Sequence, residues 1–197
     1  MDATLCILAG GESQRMGQPK AELRVCDRPI LAYLLDRFRW NGPTMLVTAP
    51  SRRSPSGTQL FDREVADPLD GAGPLRGVLS ALENLTTSVA IIATVDMPGI
   101  GAAQLQWLQS QFNTAPDGIG VMCRRHDHVE TFPSIYRAGA LDLVSAAFTA
   151  GERSVVALSR LPGVRAIDAP ADWDDRTWTN LNTPDDFATF VASLSAP

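Results

Sequence analysis

Ala3-Thr-Leu-Cys-Ile-Leu-Ala-Gly-Gly-Glu-Ser-Gln-Arg-Met-Gly-Gln-Pro-Lys20 is the stretch from which the rest of the chain is best read. Ala3 to Ala9 is a short apolar run that stops at Gly10-Gly11, the pattern of a buried strand running into a glycine loop. Two glycines at that point let the backbone approach a ligand closely, and a run of free amides there forms an anion nest at the carboxyl edge of a sheet. Arg15 and Lys20 would bring two cations to the same anion, one gripping as a fork and one acting as a compact point charge. Such a loop suits a di- or triphosphate. The plainer alternative stands beside it: glycines after a strand often only turn the chain, and exposed Arg and Lys are usually solvated. Spacing narrows the choice. Gly11 is followed by Gly17, but Lys20 is not adjacent to it, so the G-x-x-x-x-G-K-[ST] loop is absent, and G-x-G-x-x-G fails too. A P-loop NTPase and a Rossmann dehydrogenase are both disfavoured.

Working outward, Pro29 to Arg39 carries Ile30, Leu31, Leu34, Leu35 and Phe38 at helical spacing, and Thr44 to Thr48 is β-like, closed by Pro50. Ser51 to Gly57, rich in Ser, Arg, Pro and Gly, reads as a mobile loop. Leu75 to Leu85 is helical behind Pro74. Val89 to Val95, apolar on both faces, is the strongest strand signal and reads as a central parallel strand. Further helices are expected over Ala102–Phe112, Leu141–Ala150 and Thr183–Leu194. Gly151 would close the second, and Thr183, Pro184, Asp185 and Asp186 would start the third. Strands are expected at Gly118–Cys123 and Phe132–Tyr136, with short edge pieces at Arg165–Asp168 and Thr177–Leu181. The alternation of strand and helix predicts an α/β fold, a three-layer α/β/α sandwich on a mainly parallel, Rossmann-like sheet, with residues 1–197 as a single domain.

Composition sets the outer limits. The 197 residues can bury roughly 70% of the surface exposed by the unfolded chain, enough for a core without a staple. With 17 Lys and Arg against 22 Asp and Glu, the formal charge of -5 argues against a broad nucleic-acid-binding face, though it does not forbid a small phosphate pocket. Cys6, Cys26 and Cys123 are few, odd in number and far apart, which argues against a disulfide framework or a zinc site. No run reaches about 18 apolar residues and no leader pattern precedes Ala3, so a cytoplasmic location with no membrane partner is expected.

The residues quoted above bear a likeness. Leu8-Ala-Gly-Gly-x-Ser-x-Arg-Met-Gly-x-x-Lys20 resembles the signature loop of nucleotidyltransferases that activate phosphorylated metabolites, most closely the MobA-like molybdenum cofactor guanylyltransferases. The likeness continues in order through Asp67-Pro-Leu, Gly73-Pro-Leu-Arg-Gly77, Val95-Asp-Met-Pro98, Phe132-Pro-Ser-Ile-Tyr-Arg137, Gly151-Glu-Arg-Ser-Val155 and Asn180-Leu-Asn-Thr-Pro-Asp-Asp186. The resemblance implies the fold of nucleotide-diphospho-sugar transferases. It also implies transfer of GMP from GTP to the terminal phosphate of molybdopterin, giving the guanine dinucleotide cofactor and pyrophosphate, with Mg2+ as cofactor and other proteins of molybdenum-cofactor synthesis or insertion as partners.

Each candidate residue has a functional and a plain reading. Asp96 ends the strongest strand, where open α/β sheets bind ligands, and a carboxylate there can hold Mg2+; the alternative is a turn or capping aspartate. In the resembled family the matching aspartate binds the metal, and Arg15, Lys20 and Asp96 would be the catalytic set. Leu8, Ala9, Gly10, Gly11, Lys20, Asp67 and Gly77 would bind the nucleotide, against turn and helix-start readings for Asp67 and Gly77. Arg76 stands where the family usually has a small residue, and it pairs with a phosphate or pterin or faces water. Asn180 and Asn182, alternating on an extended segment, would share a face and, with Arg153, bind the acceptor; the plain readings are helix capping and a surface arginine. His126 and His128 read as solvated, Glu130 is unassigned, and Trp173 and Trp178 read as covering the edge of the core.

The attacking phosphate is already an anion at neutral pH, so no strong general base is needed, and no Ser, His or Cys triad is visible. Two rivals share the field: a cytidylyltransferase acting on molybdopterin or on a sugar or polyol phosphate, and a non-catalytic nucleotide-binding partner in cofactor insertion. The family often has an asparagine near the base after the second strand, where this chain has Val47-Thr-Ala-Pro-Ser51.

Overall fold

The opening apolar run forms strand β1 (Ala3–Leu8), and all six of its residues are buried. A computed structural model describes residues 2–11, 14–50, 53–68 and 72–194. After β1 come β2 (Arg24–Val25), β3 (Arg28–Pro29), α1 (Ile30–Phe38), β4 (Thr44–Thr48), β5 (Arg63–Ala66) and α2 (Pro74–Glu83). They are followed by β6 (Val89–Thr94), α3 (Ala102–Asn113), β7 (Gly120–Arg125), β8 (His128–Arg137), α4 (Leu141–Thr149), β9 (Val164–Asp168) and α5 (Pro184–Leu194).

β1 is hydrogen-bonded on both sides, parallel to β4 and to β6, with Leu8 opposite Val47 and Thr94. A strand so placed has both faces covered by helices, which is why β1 and β6 read as unbroken apolar runs rather than alternating ones. The sheet order is β5-β4-β1-β6-β8-β7-β9. Only β8 runs backwards, antiparallel to both β6 and β7. Its reversal follows from a tight hairpin in which Arg125 faces His128 and His126 takes a left-handed backbone, φ 51°.

Parallel neighbours need crossovers, and α1 and α2 supply them. The chain steps from β1 outward to β4 through α1, then from β5 back across to β6 through α2. Right-handed crossovers in opposite directions place those helices on opposite faces. α2 packs on α4, and α1 on α3. The three-layer sandwich with a mainly parallel sheet is thus as expected. α1 turns Ile30, Leu31, Leu34 and Phe38 into the core and stops at Arg39, whose left-handed φ of 47° breaks the helix.

Three readings need correction. Thr177–Leu181 is not an edge strand: the N–H groups of Thr177, Trp178 and Thr179 donate to the carbonyls of Asp174, Asp175 and Arg176 at 3.1 to 3.3 Å, so the chain coils in successive turns. Those local bonds consume the donors a strand would offer. The edge strand β5 was not expected, because its residues are exposed or half-buried and lack an apolar run. Ser51 and Arg52 lie outside the described residues, but the rest of that segment is tied down. The Ser56 hydroxyl and the Ser54 hydroxyl donate to Glu22 and Glu64 at 3.1 and 2.8 Å, and Pro55 and Gly57 are buried. Glu12, Ser13 and Leu69, parts of the quoted motifs, also fall outside the described residues.

Candidate active site

The chain reverses its direction of travel across the sheet between β1 and β6, and in open α/β sheets ligands bind at the carboxyl ends of strands flanking such a point. A cavity of about 560 Å³ opens there. Leu8, Gly10 and Gly11 wall it from the end of β1, Val47, Ala49 and Pro50 from β4, and Thr94 to Met97 from β6. Asp67, Ala72 to Pro74, Gly77, Thr131, Phe132 and Asn180 complete the lining.

The loop after β1 is pressed against its neighbour. Ala9 N–H donates to Val47 O at 2.8 Å, and a Cβ on Gly10 would meet Ala49 N at 3.2 Å. That close backbone approach is the local reason for glycine at position 10. α2 begins at the cavity wall with Gly73 as cap, φ 79°, and Pro74 in the first helical position. Its macrodipole favours an anion in the cavity. Gly77 lets α2 lie on β1: a Cβ there would touch Leu8 Cδ1 at 3.3 Å.

Asp96 follows β6 in a turn held from several directions. Val95 N–H donates to Leu8 O at 3.2 Å, and Leu181 N–H donates to the Asp96 carbonyl at 2.8 Å. Arg37 of α1 reaches under the same turn, donating from Nε to Ile100 O at 3.1 Å and from Nη2 to Gly99 O at 2.7 Å. On the other side the backbone of Arg176 lies so close to Gly99 that a Cβ would stand 2.0 Å from its carbonyl oxygen.

Lys20 leaves the 3-10 turn Lys20–Glu22 and is 9% exposed. Its Nζ is 3.0 Å from Asp96 Oδ2 and donates to Asn182 Oδ1 at 3.2 Å. The opening loop, the turn after β6 and the segment before α5 therefore meet at one ammonium group. Asn180 reaches the cavity and Asn182 reaches Lys20, although the segment is bent rather than extended, with Asn182 N–H donating to Asn180 O at 3.1 Å. Asp186 fixes that bend by accepting from the N–H groups of Asn182 and Thr183 at 2.9 and 2.8 Å. The Thr183 hydroxyl and these amides hold the Asp186 carboxyl below its ordinary value, and Arg15 adds a smaller Coulombic pull. Arg15 is exposed on the turn Gln14–Met16, outside the cavity lining.

Two candidates differ in placement from the rest. Arg153 does not line the cavity; its Nη1 donates to Phe148 O and Glu152 O, both at 2.8 Å, and its guanidinium lies 4.3 Å from the Phe148 ring centre. Its backbone nevertheless packs on Gly73 at the cavity rim, and its carbonyl accepts from Leu75 N–H at 3.2 Å. Arg76 is not solvated: it is buried and ion-paired with Asp67 and Glu83. Sequence reasoning missed that pair, and also missed Thr131 and Phe132 as cavity walls.

The donor set suits a cation bound through one carboxylate and substrate phosphates, the usual habit of Mg2+. Asp96, a third exposed at its side chain, is the carboxylate that could hold it. Among the described residues no three His, Cys, Asp or Glu side chains form a metal cage. His126 and His128 are exposed at the hairpin tip, while Trp107 of α3 meets Trp173 edge to face and Trp173 meets Trp178 at a tilt, ring centres 5.1 and 5.7 Å apart.

Comparison with known proteins gives consistent matches. Residues 5–165 match the family described as the MobA-like NTP transferase domain. A protein of Opitutus terrae named "probable molybdenum cofactor guanylyltransferase" is 34% identical over 190 residues, covering 91% of this chain and 90% of its own. The crystal structure of molybdopterin-guanine dinucleotide biosynthesis protein A from Archaeoglobus fulgidus superposes with a TM-score of 0.78 at 23% identity, covering 98% of both chains. The 2-C-methyl-D-erythritol 4-phosphate cytidylyltransferase of Thermus thermophilus shares the fold at a TM-score of 0.71 and 16% identity, covering 100% of both chains.

Proposed function

Because the chain belongs to the family of MobA-like NTP transferases, we propose that it transfers GMP from GTP to the terminal phosphate of molybdopterin at the cavity between β1 and β6. One observation carries the placement: Lys20 and Asp96, from different elements, lie 3.0 Å apart beside a cavity walled by the Gly10-Gly11 loop. A phosphate clamp and a metal-binding carboxylate are of use together only where a polyphosphate reacts.

In the step, an oxygen of the molybdopterin phosphate attacks the α-phosphorus of GTP. The bond from that phosphorus to the bridging oxygen of the β-phosphate breaks, and pyrophosphate leaves with the electron pair. The nucleophile is already an anion, so the work is alignment and charge stabilisation. Leu8, Ala9, Gly10 and Gly11 offer backbone to the phosphates, with the amino end of α2 opposite. Lys20, with Arg15 nearby at the loop, stabilises charge gathering on the α-phosphate and the departing pyrophosphate. Asp96 would hold Mg2+, which when bound neutralises phosphate charge and orients the triphosphate. Asp67 and Gly77 belong to the nucleoside side. Asn180, Asn182 and Arg153 belong to the acceptor side, an assignment supported by Asn180 in the cavity wall. We place the reaction within a single domain, in the cytoplasm, where the product would pass to proteins that insert the cofactor. Among the described residues no helix is long and apolar enough to cross a membrane.

The test is release of pyrophosphate from GTP with and without molybdopterin, with CTP as a second arm. The described lining at the end of β4, Val47, Ala49 and Pro50, offers no polar side chain to choose a base. Acceptor-dependent release from GTP is expected. Release from CTP alone would move the assignment to a cytidylyltransferase, and tight GTP binding with no release under any acceptor would make the protein a binding partner only.

A further inference from the structure

Arg76 sits where a helix least favours a cation. It is the third residue of α2, in a first turn where the helix dipole favours anions, and it is only 6% exposed. Burying a guanidinium is costly, and a buried ion pair seldom adds stability over an apolar residue of the same size. A residue that breaks both rules beside a ligand cavity calls for a reason other than stability.

Its contacts supply one. Nε donates to Asp67 Oδ1 and to Ser80 Oγ, each at 3.1 Å, and Nη2 donates to Ser80 Oγ at 2.9 Å and to Glu83 Oε2. The Ser80 hydroxyl donates in turn to the same Asp67 Oδ1. Arg76, Ser80 and Glu83 share one face of α2 at spacings of four and three, and the Phe148 ring lies 5.5 Å from the guanidinium carbon. Two donors thus converge on one oxygen of Asp67, a residue that lines the cavity and whose backbone N–H is already tied to Thr48 O at 2.8 Å. No described residue bonds Oδ2.

We propose that Arg76 is a positioning residue for the nucleotide: with Ser80 it fixes Oδ1 of Asp67, so that Oδ2 is held as the acceptor for an N–H or O–H donor of the bound nucleoside. The cation also keeps a carboxylate acceptable beside a site that takes a polyphosphate. Arg76 itself touches no ligand. The inference rests on the nucleotidyl-transfer reading of the cavity.

The experiment is a double-mutant cycle on GTP binding by calorimetry and on steady-state kinetics, using the full chain with Mg2+. Arg76→Met should weaken GTP binding and raise the KM for GTP by about tenfold, and Asp67→Asn by a similar factor, with kcat at saturating GTP held within about threefold. The double variant should bind no worse than Asp67→Asn alone, because the arginine acts only through that carboxylate. Arg76→Lys should recover part of the loss by restoring the charge without the fork. Should Arg76→Met fail to fold, Ser80→Ala carries the same cycle with an expected loss of about threefold. Losses that multiply in the double variant, or that fall on kcat instead of KM, would overturn the positioning role while leaving the reaction intact. Absence of GTP binding by the wild-type chain would overturn that reading and this inference together.

Discussion

The Lys20 ammonium and the Asp96 carboxylate, 76 positions apart in sequence, meet at 3.0 Å because β1 and β6 are parallel neighbours that deliver their following loops to one edge of the sheet. Proximity of this kind is an electrostatic device more than a structural prop. Asp96 is a third exposed, so water screens much of the charge that removal of Lys20 would leave behind.

Lys20→Ala should therefore lower turnover by about 100-fold or more, the scale set by loss of one preorganised charge-stabilising donor. The same change should cost stability less than about 1 kcal/mol. Pyrophosphate release and urea unfolding on the same preparation separate the two effects. A variant that turns over GTP near the wild-type rate would remove Lys20 from the chemistry.

The turn that presents Asp96 is held by close backbone packing as well as by its hydrogen bonds. A Cβ at Gly99 would stand 2.0 Å from the Arg176 carbonyl oxygen, a backbone atom that cannot swing aside. Gly99→Ala should destabilise the protein by roughly 1–3 kcal/mol as the 174–178 turns are pushed away. Activity should fall further than stability explains, because Leu181 and the Asp96 carbonyl are joined at 2.8 Å within the displaced region. Gly139→Ala is the control, since nothing lies within 4 Å of its added methyl group. Urea midpoints of the two variants should differ clearly.

How far the sequence revealed this arrangement depended on what each residue's neighbours in the chain disclose. β1 and β6 were legible because strands covered on both faces must be apolar throughout. β5 was not, because an edge strand with exposed residues has no such signature. The meeting of the Gly10-Gly11 loop, Lys20 and Asp96 could be anticipated, since the carboxyl ends of adjacent parallel strands share an edge. Arg76 could not be assigned: its helix face was readable, but its partner Asp67 lies before the turn into α2, and only the fold brings the two to 3.1 Å. The bend at Asn180–Asn182 was also hidden, because the Asn182 N–H bonds to Asn180 O and to the Asp186 carboxylate, neither of which the alternation of the two asparagines reveals.

The three cysteines offer a check on the packing. Burial pushes the thiols of Cys6 and Cys123 up to about 12, with the nearby Glu130 charge adding to the rise at Cys123. Cys26 is exposed. An aromatic disulfide reagent at pH 8 should titrate one thiol per native chain quickly and all three after denaturation. Rapid reaction of a second thiol in the native protein would contradict the placement of β1 or β7 in the core.

The cap before α5 should make stability depend on pH in a particular direction. Asp186 accepts from the Thr183 and Asn182 amides, and the Thr183 hydroxyl is the largest cause of its lowered pKa. A carboxyl lowered in the folded state releases its proton more readily there than in the unfolded chain. Its contribution is therefore complete above the ordinary value of 3.8 and disappears as pH falls through the lower folded value. Asp186→Ala should accordingly show a reduced Tm at pH 7, and the gap from wild type should close as the solution is taken below that ordinary value. Because the same carboxylate holds the bend that carries Asn182 to Lys20, the variant should also lose turnover at pH 7, where the protein is still folded. A Tm gap that stays constant into the acid range would mean that the ionised carboxylate is not what secures the bend.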